Sequence, residues 1–149
     1  MSKRAFVVFG IFAGICLLAL PFLALGREGG ESAGTVEVAS RDLGSKQVFA
    51  NNCGPCHTLA AAGTDGVVGP DLDELLVPTG SNTSDGYEGL YTRVLQAVTC
   101  GQGGRMPKGI VVGEDAQDVA SFVAAYAGQI DKGPTVDTTT APKPEPPSC

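Results

Sequence analysis

The stretch NNCGPCHTL, residues 51–59, sets Cys53 and Cys56 one helical turn apart, with the chain's only histidine, His57, directly after them. Three chemistries use such a spacing. Cys53-Gly54-Pro55-Cys56 is letter for letter the redox dithiol of thioredoxins. Cysteines beside a histidine also serve zinc. C-x-x-C-H is in addition the attachment pattern for a covalently held haem. The rest of the chain has to decide among them.

The chain has 149 residues and a formal charge of −6, room for one modest domain. Residues 5–25 form an unbroken apolar run preceded by Lys3 and Arg4. At about 1.5 Å per residue it would span roughly 31 Å, one bilayer core. That predicts an N-terminal transmembrane helix over 1–26, with the N-terminus cytoplasmic and the remainder outside the cell membrane. A cleaved signal segment is the alternative, with Ala24-Leu25-Gly26 as a small-residue site. Both readings export the folded part, where thiols tend to be oxidised or occupied. Residues 27–40 are rich in Gly and Glu and read as a flexible linker. Residues 129–149 hold half of the prolines and read as a Pro-rich tail, disordered or extended.

The domain expected over 41–128 is helical. Leu43 to Asn52 makes a short helix that runs into the cysteine motif. Asp71 to Leu76 makes one or two turns. Tyr87, Leu90, Tyr91, Val94, Leu95 and Val98 fall three and four apart, and Val119, Phe122, Val123 and Tyr126 repeat the stripe. Gly101 and Gly128 stop these last two helices, and Glu114, Asp115 and Asp118 suit the N-terminal dipole of the second. No period-2 strand appears, so the fold class expected is all-α. Short helices without a tryptophan make a thin core, and a cofactor would fill it.

This narrows the chemistry. A thioredoxin-like dithiol follows a strand in an α/β sheet, and here a helical pattern precedes Cys53. Structural zinc takes four Cys or His ligands, and Cys100 and Cys149 offer no second paired spacing. Haem attachment suits every feature. Two thiols one turn apart add across the two vinyl groups, and the adjacent His57 reaches the iron. A second axial ligand has one candidate outside the N-terminus, Met106 in GRMP, placed 49 residues after His57 in a Gly-rich loop. A loop methionine used as core filler is the plainer reading of Met106.

With CGPCH at 53–57, VGPDLDEL at 68–75, GRMP at 104–107 and DVASFVAAY at 118–126, the chain resembles the class I c-type cytochromes, in their small, monohaem, membrane-anchored bacterial form. The resemblance covers roughly Gly44 to Gly128. It implies a cytochrome c-like helical domain around one haem c, bound through Cys53 and Cys56 and ligated by His57 and Met106. It also implies that the carbonyl of Pro70 accepts a hydrogen bond from the imidazole, and that Phe49 meets Phe122 where the first and last helices cross. Ser45 stands where the family often has glycine at that crossing.

His and Met ligation would close both faces of the iron and raise its potential. The function expected is therefore one-electron transport rather than enzyme catalysis: a carrier tethered to the outer face of the cytoplasmic membrane, between a quinol-oxidising complex and a terminal oxidase or reductase. Its partners would be redox complexes of that membrane, and lipid through the N-terminal helix; neither nucleic acid nor a small-molecule substrate is expected. A fixed subunit of a larger complex is the first alternative, and a haem enzyme or gas sensor the second, if Met106 is not a ligand. Residues 41–128 carry 5 basic and 10 acidic side chains, so this is no lysine-ringed carrier. Arg105 and Lys108 flank Met106, near the expected haem edge or as solvated loop charges. Cys100 and Cys149 stay open: a disulfide between them, free or intermolecular thiols, or a separate attachment at Cys149.

Overall fold

The computed structural model describes residues 8, 11–17, 36–76, 84–130, 133–134, 136–145 and 148–149. Two compact units divide the chain, Met1–Gly30 and Glu31–Cys149.

In the first unit, residues 11–17 are helical, with Ile11, Phe12, Ile15 and Leu17 exposed. Among the described residues no helix is long and apolar enough to cross a membrane. This corrects two expectations, the N-terminal transmembrane helix and the single-pass placement in the cell membrane with the second unit outside. The remainder of the apolar run, and residues 27–35 of the expected linker, lie outside the described residues.

The second unit opens with Val36 and Val38 packed, half-buried, against the core. A 3-10 turn, Ser40–Asp42, leads into helix α1, Leu43–Asn52. Strand β1, Thr58–Leu59, and strand β2, Thr64–Asp65, flank a second 3-10 turn, Ala60–Ala62. Helices α2, Leu72–Leu76, α3, Ser84–Cys100, and α4, Glu114–Tyr126, complete the order. The all-α expectation is thereby corrected. Strands β1 and β2 pair antiparallel, Thr58 opposite Asp65 and Leu59 opposite Thr64. Two-residue strands are too short to show alternation, so their signal drowned in TLAAAGTDG. The remaining boundaries follow the helical stripes closely.

Helix α4 lies against both α1 and α3. The α3 stripe of Tyr87, Leu90, Tyr91, Leu95 and Val98 is buried, and so is Val119, Phe122, Val123 and Tyr126 of α4. Ala116, Ala120, Ser121, Ala124 and Ala125 are buried too, so α4 is covered on nearly every side. Small side chains let neighbours approach that helix from all directions. Phe49 is the one fully covered residue of α1. Its ring lies 6.3 Å from that of Phe122, which lies 4.9 Å from that of Tyr126, spacings at which aromatic pairs attract. Inside the core, Tyr87 and Ser121 share a hydroxyl hydrogen bond of 2.8 Å. The Tyr91 hydroxyl is buried without a hydrogen-bond partner among the described residues.

The tail is not the free chain its prolines suggest. Asp137 accepts at one carboxylate oxygen from the Thr139 amide (3.0 Å) and hydroxyl (2.7 Å), while its carbonyl accepts from the Thr140 and Ala141 amides. These bonds wind residues 137–141 into a turn of the kind Asp favours. They also hold the Asp137 carboxyl below its usual range, with Arg41 3.4 Å away assisting. The turn buries Thr138 and Ala141. Thr138 donates to Asp42 (2.5 Å), which also accepts from the Tyr126 phenol (2.8 Å), and the phenol oxygen accepts from the Ala39 amide (3.0 Å). Start, last helix and tail thus meet on one buried carboxylate. Lys143 pairs with Asp118 of α4 at 2.9 Å. A disulfide joins Cys149 to Cys100 at the end of α3, with Cα atoms 5.4 Å apart. Of the pairings open to these two cysteines, the intramolecular one is therefore formed, and it overrides the composition of the tail.

Candidate cofactor site

Helix α1 ends where the cysteine motif begins. The amides of Cys53 and Gly54 both donate to the Phe49 carbonyl, at 2.8 and 2.9 Å, and close the last turn. The next turn is wound on Cys53: its carbonyl accepts from the amides of Cys56 (3.0 Å) and His57 (2.9 Å). Both sulfurs and the imidazole are thus carried on one tight loop. The loop is held from behind by Thr64, whose hydroxyl donates to the His57 carbonyl (2.9 Å) and accepts from the Leu59 amide (3.1 Å).

The imidazole is fixed on two sides. Nδ1–H of His57 donates to the Pro70 carbonyl at 2.9 Å, which leaves Nε2 as the nitrogen open to a metal. That hydrogen bond also makes the ring a stronger base toward a metal. Gly69 lies flat against the ring. A Cβ there would come 2.5 Å from Cε1 and 2.7 Å from Nδ1, so only glycine fits without moving the imidazole. The Gly69 amide donates to the Cys56 carbonyl (2.7 Å), which locks this segment to the motif. Asp73, buried at the start of α2, accepts from the amides of Ala60 (2.7 Å) and Gly128 (2.8 Å). It ties the segment behind the motif to the end of α4.

Met106 is presented by a loop hung on the end of α3. Gln102 and Met106 exchange backbone hydrogen bonds, Gln102 N–H to the Met106 carbonyl at 3.1 Å and Met106 N–H to the Gln102 carbonyl at 3.3 Å. Gly109 N–H returns to the Val98 carbonyl at 3.0 Å. Gly101 makes the reversal, with φ +74° and the Met106 carbonyl 2.7 Å from where its Cβ would be. Any other residue would be strained twice, by its backbone angle and by that approach.

These two loops open onto one cavity of about 590 Å³, in the size range of small-molecule and cofactor pockets. Cys53, Cys56, His57, Pro70 and Met106, the whole set picked from the sequence, line it. Most of the wall is apolar, from Phe49, Leu72 and Leu76 to Val94 and Val98. Arg105 is in the wall and Lys108 is not. The sequence reading missed Arg93, Asn52 and Gln102. Arg93 had one faint signal: it sits beside Val94 at the margin of the α3 stripe, four residues before Ala97, which also lines the cavity.

The donor set separates the candidate chemistries. Cys53 and Cys56 are both free thiols, Cys53 buried and Cys56 exposed. Burial, then the neighbouring Cys56, pushes the Cys53 thiol up from 9.0 to about 11. At neutral pH it is protonated, the reverse of the activated thiolate a dithiol oxidoreductase needs. Among the described residues no three His, Cys, Asp or Glu side chains group so as to hold a metal ion. An apolar, flat-sided macrocycle with two points of thiol attachment suits the residues present: two free thiols, an imidazole held by its neighbours, and a thioether from another loop. No protein-family model matches the chain, and no curated protein matches it.

Proposed function

We propose that the chain is a monohaem c-type cytochrome, an electron-transfer protein that passes single electrons between redox protein complexes. One observation carries the reading: Met106, remote in sequence from the CGPCH motif, lines the same apolar cavity as Cys53, Cys56 and His57.

Haem c, when bound, supplies a one-electron iron couple. Cys53 and Cys56, both in the cavity wall, would hold it covalently through their sulfurs. His57 supplies Nε2, its ring held by the Pro70 carbonyl and the Gly69 backbone. Met106 supplies the thioether. With His57 and Met106 both given over to holding the group, the site would favour electron transfer over catalysis on a bound substrate. The apolar walls exclude water from the macrocycle, and excluding water keeps both oxidation states in one fixed environment. The excess of acidic side chains suits a partner with a basic or apolar docking patch.

The test is a spectrum and a mass. Purified from its own host, the protein should carry covalent haem through both cysteines, and its oxidised form should show the weak iron–sulfur charge-transfer band. Met106→Ala should abolish the band, lower the reduction potential, and let carbon monoxide bind the reduced protein rapidly. A colourless protein in which Cys53 and Cys56 both react with a thiol reagent would end this reading.

A further inference from the structure

The Cys100–Cys149 disulfide sits at the hinge of the loop that presents Met106. Cys100 is the last residue of α3. Two backbone bonds beside Cys100 suspend the loop: Gly101 N–H reaches the Ala97 carbonyl at 2.9 Å, and the Val98 carbonyl, two residues before Cys100, receives Gly109 N–H at 3.0 Å. The terminal carbonyls of a helix have no partners within the helix, so its last turn frays readily. Here a covalent bond pins that turn to the chain's own end. Among the described residues, Lys143–Asp118 is the last non-covalent bond between the tail and the remainder of the unit before Cys149. Beyond Lys143 the disulfide is the covalent fastening of the described chain. Cys149 is exposed and Cys100 half-buried, so a small thiol reagent reaches the bond.

We propose that Cys100–Cys149 is a reducible fastener that governs how firmly the Met106 thioether is held, and hence that the redox state of this disulfide sets the properties of the cofactor site. The ligand role of Met106 rests on the function proposed above; the fastening of the loop does not. A dithiol reductant opens the bond by exchange. The protein disulfide takes up two electrons and two protons to give the Cys100 and Cys149 thiols, and the reductant closes its own disulfide. Cys100 is then released from Cys149, the last turn of α3 frays as an unpinned helix end does, and Gln102, Met106 and Gly109 lose their fixed partners. No large side chain compensates, because the reversal is built on Gly101.

Amide hydrogen exchange on the full-length protein tests this. Dithiothreitol added to the folded protein should speed exchange at the Gln102, Met106 and Gly109 amides at least about tenfold, a local opening easier by about 1.4 kcal/mol, and leave those of Val119–Val123 unchanged. Cys149→Ser should show the same acceleration without reductant and no further change on its addition, which separates this bond from the other thiols. In ferric Cys149→Ser the iron–sulfur band should weaken or vanish. Equal loop exchange before and after reduction overturns the proposal, as does a faster loop with an unaltered band. A colourless protein whose loop exchange still accelerates upholds the fastener and sinks the haem reading instead.

Discussion

Tyr126→Phe removes one oxygen from the point where the start of the domain, α4 and the tail meet, and its cost follows from the bonds lost. The phenol donates to buried Asp42 at 2.8 Å, and a hydrogen bond to a charged group is worth about 1.5–3 kcal/mol. The Ala39 amide, 3.0 Å from the phenol oxygen, loses its acceptor as well, for about 1 kcal/mol more. Thr138 stays on the carboxylate, so Asp42 is not stripped bare. The expected loss is therefore about 2–4 kcal/mol, with the ring packing against Phe122 retained. Urea unfolding at neutral pH, with the disulfide intact and an unchanged slope, measures it. The pH dependence is a second, independent readout. Burial first, with the Asp42 carboxylate adding, raises Tyr126 from 10.0 to about 12. The folded state thus holds this proton more tightly than the unfolded chain. The corresponding stability is fully present below pH 10.0 and is lost as the pH rises through about 12. The gap between wild type and Tyr126→Phe should accordingly narrow across that window. A loss under about 0.5 kcal/mol at neutral pH, below what even one neutral hydrogen bond contributes, or a gap that stays constant into strong alkali, refutes the account.

The same substitution elsewhere should behave differently. Tyr91→Phe deletes a buried hydroxyl that has no partner among the described residues, so it should be neutral or stabilising by up to about 1 kcal/mol in the same urea titration; a clear destabilisation would mean a hidden partner. Gly69→Ala places a methyl 2.5 Å from the His57 ring and should displace the imidazole, costing about 1–3 kcal/mol and altering the spectrum of the haem proposed above. A Gly69→Ala variant with unchanged spectrum and stability would show that the ring is not held as described.

Of the candidate site, the parts legible in the sequence were those with a local or unique signature. CGPCH declares itself by spacing, His57 is the chain's only histidine, and Met106 is the only methionine beyond the first residue. The α3 and α4 stripes declare themselves by period, since residues three and four apart share a helix face. Arg93 was not legible, because a charged residue beside an apolar stripe looks the same whether it faces a cavity or water. Strands β1 and β2 were not, because two residues cannot display an alternation.

Chemical identity and helical periodicity are properties of short segments, and from them alone came the thiols, the imidazole, the thioether and the helices that carry them. What only the tertiary structure decided was closure. Asp42 joins Tyr126 to Thr138, Asp73 joins Ala60 to Gly128, and Cys100 takes Cys149 as its partner. These links join groups from 13 to 96 residues apart that carry no local mark of their partner. Even a proline-rich tail packs against the domain once its end is bonded, because the cross-link removes chain entropy that composition alone would leave it.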